Sequence, residues 1–259
     1  MKTDHNGTLR VLLIGAGRFG RHHLRILQKL HFEGVIDLVG FVVTNPQHAE
    51  RIEMETGVRA FTHMNDELRA QVDAVDIVTP SGTHVQLAQE WLPRAHVFVE
   101  KPVTERIVDL HILLQHARAH DRVFMVGHIY RFHPCIRDIQ ERCAQRGGVL
   151  PKSVRFRMVS PETTWRGENP SLEYIHVFDL IHFLFPDKQL IARWSTLIKN
   201  DPPLQRISMR FSEGLDAQFE LGWDSETKER VIVITWPDGE RWEYDLITNA
   251  LRVYLKDAV

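Results

Sequence analysis

A lysine stands where turn chemistry has no use for one. Residues 97–106 read VFVEKPVTER, and the apolar run at 97–99 stops on Glu100, Lys101 and Pro102. A turn after a strand ordinarily draws Gly, Asn, Asp or Ser. An ammonium group at the carboxyl end of a strand could instead donate a proton or a hydrogen bond to a reacting oxygen. A second unusual stretch, GAGRFG with Gly15, Gly17 and Gly20, follows the first apolar run. Glycines there permit a tight turn and let backbone amides approach a pyrophosphate at a helix N-terminus, where the helix dipole favours an anion.

Other residues could complete such a site. The second apolar run ends VVTNPQ, so Thr44 and Asn45 stand where an acidic side chain would accept from the ribose 2′-hydroxyl of NAD(H). Neutral residues leave room for a 2′-phosphate, and the expected cofactor is therefore NADP(H), with NAD(H) possible. The fourth run ends TPSGTH, placing Thr79, Pro80 and His84 at the same sheet edge as Lys101. Arg18, Arg21, His22 and His23 flank the glycines and could approach phosphate or face solvent. In the segment 171–185, His176 is followed at i+3 by Asp179, which could fix its imidazole, whereas His182 points to a different face.

The elements that must position these residues follow from periodicity. Five aliphatic runs, starting at Val11, Ile36, Ala74, His96 and Val123, alternate with helical stretches, which implies a doubly wound parallel sheet. Asn45 followed by Pro46 reads as a helix start, Gly57 as that helix's stop, and Thr104 as the cap of a later helix. After Gly127 the character changes. Val154, Phe156 and Met158 alternate with arginines, and Ala217, Phe219, Leu221 and Trp223 alternate with Gln218 and Glu220, as in half-buried antiparallel strands. The expected architecture is α/β: a Rossmann domain over 1–127, then an α+β domain with a mostly antiparallel sheet over 128–259.

Composition excludes several partners. In 259 residues, 32 Lys and Arg oppose 34 Asp and Glu, so a net charge of −2 offers no footprint for nucleic acid or an anionic membrane. Cys135 and Cys143 are too few for a disulfide framework. With no signal-peptide pattern and no apolar run near the ~20 residues of a membrane span, a cytoplasmic protein is expected. No metal is expected either, since His116 and His120 lack an intervening Glu and a third ligand.

GAGRFG, TPSGTH, EKP, GHIYRFHP (127–134) and HVFD (176–179), in that order, resemble the landmarks of the Gfo/Idh/MocA oxidoreductases. The resemblance implies an NAD(P)-dependent enzyme acting on a hydroxyl or ketone of a sugar-like or nucleotide-sugar substrate. It implies Lys101 and His176 as proton carriers. With the strand-end placement, it implies cofactor contacts from Gly15, Gly17, Arg18, Phe19, Gly20, Thr44, Asn45, Thr79, Pro80, His84, Glu100 and Lys101. It further implies a homo-oligomer built through the C-terminal sheet, with the tryptophans of that half available for the contact.

Two departures open other readings. Many members carry an Asp four residues before the helix histidine, and this chain has Leu172. Members also typically continue past the point where this sequence stops. A reductase of an imine or conjugated intermediate, or a catalytically altered NAD(P)-binding sensor, therefore stands beside the sugar-dehydrogenase reading.

Overall fold

The computed structural model describes residues 7–167 and 169–255. The chain divides between Gly127 and His128 into two compact units.

In the first unit, β1 (Leu9–Ile14), β2 (Ile36–Val42), β3 (Ala60–Phe61), β4 (Ala74–Ile77), β5 (His96–Val99) and β6 (Phe124–Val126) form one parallel sheet in the order β3-β2-β1-β4-β5-β6. Its helices are α1 (Gly20–Phe32), α2 (Pro46–Thr56), α3 (Asp66–Ala70), α4 (His84–Trp91) and α5 (Ile107–Ala119). Strands covered on both faces read as continuous aliphatic runs. Leu12, Leu13, Val75, Ile77, Val97 and Val99 are accordingly buried. The helix signals behave as their chemistry requires: Asn45 accepts from the His48 amide at 2.9 Å, and Gly57 closes α2 in the left-handed region at φ 70°. Thr104 does not cap α5. Its hydroxyl accepts from the Arg106 amide at 2.9 Å in the turn before, and the helix begins at Ile107.

The second unit holds α6 (Pro134–Gln145), β7 (Ser153–Pro161), α7 (Pro170–Glu173), α8 (His176–Leu184), β8 (Leu190–Asn200), β9 (Pro203–Phe211), β10 (Asp216–Ser225), β11 (Glu229–Thr235), β12 (Arg241–Asp245) and β13 (Ala250–Tyr254). The sheet order is β13-β12-β11-β7-β10-β9-β8, antiparallel except for the parallel pair β7–β10. Its inner face packs Val154, Phe156, Phe219 and Leu221 against Ile136 and Ile139 of α6 and Val177, Leu180 and Ile181 of α8.

The outer face is a charge ladder. Arg206 bonds Glu220 at 2.8 Å, Glu220 bonds Arg157, and Arg157 bonds Glu229 at 2.8 Å. Most of the tryptophans expected to be available are not: Trp223, Trp236 and Trp242 are buried in the core and Trp165 packs against it, while Trp194 of β8 is exposed. The segment 171–185 holds parts of two helices, α7 and α8, and between them Tyr174 turns into the sheet, where its hydroxyl donates to Ser160 Oγ at 3.0 Å.

Candidate active site

The glycine loop between β1 and α1 is shaped by its neighbours. Gly15 sits at φ 98°, and a Cβ there would lie 2.6 Å from the Val78 carbonyl oxygen; one on Gly20 would lie 2.0 Å from the Gly15 carbonyl oxygen. Gly17 has open space where its Cβ would be. The loop thus packs tightly on the protein side and leaves room on the other. The start of α1 has no side-chain cap and no acid in its first turn. That leaves backbone N–H groups and a positive dipole end for an anion. A cleft of about 490 Å³ opens beside it, lined by Gly15, Gly17, Thr44, Asn45, Thr79 and Pro80. It also takes in His48, Met64 and Gln86, which no motif announced. The residues therefore fit a dinucleotide. Arg18 and Phe19 are exposed on the loop, whereas Arg21 is paired with Glu55 of α2 rather than turned to phosphate.

The turn carrying Lys101 is held from behind. His84 is 1% exposed. Its Nδ1 lies 2.8 Å from the Pro102 carbonyl oxygen and its Nε2 2.8 Å from that of Thr79. The ring expected to edge the cleft is thus spent stapling the two loops that form it. Glu100 is likewise buried, at 7% exposure, and accepts from the Lys101 amide at 3.2 Å. It steadies the turn.

Behind Glu100 lies a charged group that the motifs did not signal. His23, on α1, places Nδ1 2.8 Å from Asp76 Oδ2 and Nε2 3.5 Å from Glu100 Oε1. The first is a good hydrogen bond and the second a charge contact. Burial alone would depress the ring's pKa, but Asp76 and then Glu100 outweigh it and hold the imidazolium up to about 9. Burial pushes the Asp76 carboxyl up, against the pull of His23. One signal did exist: Asp76 is a carboxylate inside a central parallel strand, and buried charges are paired. His22, its neighbour, is exposed.

In the second unit, His176 opens α8, is buried, and stacks obliquely on the Tyr130 ring, with centroids 4.9 Å apart. Asp179 does not fix it by a hydrogen bond. Arg131, from GHIYRFHP, takes both Asp179 oxygens, with Nε donating to Oδ2 at 2.8 Å, and His128 Nδ1 lies 3.7 Å from the same Oδ2. Arg131 also lies over Phe183 at 5.0 Å. Leu172 is half-buried in α7.

Residues 9–128 match the Gfo/Idh/MocA family described as "Oxidoreductase family, NAD-binding Rossmann fold". The UDP-N-acetylglucosamine 3-dehydrogenase of Acidithiobacillus ferrooxidans is 33% identical over 154 residues, covering 59% of this chain and 46% of that enzyme. The chain thus matches less than half the length of that curated relative. Its solved structure superimposes with a TM-score of 0.79 at 26% identity, over 96% of this chain and 80% of that one. Mouse biliverdin reductase A is 25% identical over 266 residues, covering 99% of this chain and 86% of that protein.

Proposed function

We propose, from the match of residues 9–128 to the Gfo/Idh/MocA family, that the chain belongs to these oxidoreductases and moves a hydride between NADP(H) and a hydroxyl or ketone carbon of a nucleotide sugar. The observation that carries this reading is the first unit's pairing of an uncapped helix start, a glycine loop and the Lys101 turn at the carboxyl ends of one parallel sheet, where such sheets bind ligands. The nicotinamide supplies or takes up the hydride. Backbone amides of the loop and of α1 hold the pyrophosphate, and Thr44 and Asn45 admit a 2′-phosphate, with NAD(H) the weaker ligand. Lys101 donates to the reacting oxygen, and His176 is the second proton carrier.

Leu172 carries no proton, so the reaction favoured is one that a single well-placed donor can serve, with remote groups of the substrate supplying binding energy. A nucleotide sugar has such groups; a free polyol does not. Biliverdin reductase A, similar over nearly the whole chain, favours a second reading in which the acceptor is a conjugated system. Self-association through the C-terminal sheet and a cytoplasmic site of action complete the proposal. The test is nicotinamide absorbance with UDP-N-acetylglucosamine, inositol and biliverdin in parallel. Turnover confined to the nucleotide sugar supports the first reading, and turnover of biliverdin alone replaces it with the second. Efficient oxidation of inositol sinks both. If none reacts while NADPH binding alters assembly with a partner, the chain is a sensor.

A further inference from the structure

Two buried carboxylates share one imidazole beneath the turn that carries Lys101. Asp76 of β4 is in register with Phe98 of β5, and Glu100, two residues beyond Phe98, returns to the same face of the sheet. His23 reaches both from α1. Gly127 closes the far side: a Cβ there would lie 2.5 Å from Glu100 Oε1, so the carboxylate fills the place of a side chain. Glu100 Oε2 accepts from the Lys101 amide at 3.2 Å. The rings of Phe19 and Phe98 flank the imidazole at 5.2 and 6.2 Å. Among the described residues, the charged groups facing the ring are Asp76 from β4 and Glu100 from the end of β5.

Only a protonated ring can hydrogen-bond Asp76 and at the same time set a positive charge against Glu100; a neutral imidazole leaves one carboxylate uncompensated. We propose that His23 is a positioning residue: by bridging Asp76 and Glu100 it fixes the turn that presents Lys101, and it ties that turn to the helix whose start receives the pyrophosphate. Seating of the cofactor on α1 and presentation of the lysine are then one event, because the same side chain spans them. This rests on the reading of Lys101 as the proton carrier. His23 itself touches no reacting atom.

The experiment compares the full chain with the variant His23→Gln/Asp76→Asn, which removes one charge of each sign. NADPH fluorescence reports whether the variant is folded and loaded. Acetic anhydride, with peptide mass spectrometry, reports the acylation rate of Lys101 relative to the exposed Lys29. In a variant that binds NADPH, the Lys101:Lys29 ratio should change several-fold. With UDP-N-acetylglucosamine, kcat should fall tenfold or more while KM changes little. An unchanged ratio in a folded, NADPH-binding variant overturns the proposal. If the variant does not fold, the wild type decides. The Lys101:Lys29 ratio, followed across pH, must change in step with the NMR titration of His23, and a ratio indifferent to that titration overturns the idea. If the wild type does not turn over the nucleotide sugar, the substrate reading fails while the labelling still decides the role of His23.

Discussion

Arg131 and Asp179 form a two-pronged ion pair across 48 residues of sequence, joining the short turn after the first unit's last strand to the helix that His176 opens. The carboxylate is 9% exposed and the guanidinium 42%. Asp179→Asn keeps the shape and one acceptor but removes the charge, and should cost about 1–2 kcal/mol in urea unfolding. It should also lower turnover, because Tyr130, against which His176 packs, sits in the segment that Arg131 anchors. Wild-type stability and turnover together would show that the pair holds nothing.

Lys101→Met should lower turnover by roughly 10²–10⁴-fold with NADPH affinity almost unchanged, as expected when a donor acts in the transition state but not in cofactor binding. Steady-state rates and fluorescence titration on the same preparation separate the two. A methionine variant of ordinary activity makes the residue a turn lysine.

Thr44→Asp places a carboxylate in the cleft where the 2′-phosphate is proposed to lie. The wild type should bind NADPH several-fold more tightly than NADH, and the variant should reverse that order through like-charge repulsion. Calorimetry on both proteins settles it, and tighter NADH binding by the wild type is the outcome that refutes the NADP(H) reading.

Stability should fall on the alkaline side because of His23. Its folded pKa is raised from 6.5 to about 9, so the protonated ring is favoured by folding. That contribution is present in full below pH 6.5 and is lost as pH rises through about 9. At ~1.36 kcal/mol per unit the full shift corresponds to about 3 kcal/mol. Denaturation curves between pH 6.5 and 9.5 should show the decline. A slope no different in His23→Gln would assign it to other groups.

Gly127→Ala forces a methyl into the Glu100 carboxylate, an overpacking that should cost about 1–3 kcal/mol. Gly17→Ala, with open space at its Cβ, should leave stability nearly unchanged and weaken cofactor binding instead. Thermal melts with and without NADPH distinguish the two, and equal melts for both variants would contradict the packing described.

The parallel sheet was readable because strands buried on both faces leave unbroken aliphatic runs, and the half-buried strands because residues such as Phe156 and Arg157 alternate. Asn45 and Gly57 announced α2 through backbone requirements that are purely local. What was not readable depended on partners distant in sequence. Spacing along one helix suggested that Asp179 serves His176, but a guanidinium 48 residues away in sequence takes the carboxylate. His84 looked like an edge residue until the fold brought two carbonyls against its ring. Asp76 was not singled out, and its match with His23 exists only once α1 lies across β4 and β5.

The parallel pairing of β7 with β10 has a consequence for the nascent chain. Ser153 pairs with Asp216 and Phe156 with Phe219, while β8 and β9, made between them, lie on the far side of β10. The centre of this sheet therefore cannot close as the ribosome delivers it. Until β10 emerges and inserts, nothing joins β7 to the pair β8–β9, so the apolar faces of α6 and α8 have no continuous sheet to cover them. Such late, long-range closure slows folding and lengthens the exposure of sticky surface. A stalled or truncated product ending before Asp216 should be bound by chaperones and degraded, even though its first unit, whose strands lie wholly within the first 127 residues, has all it needs to fold.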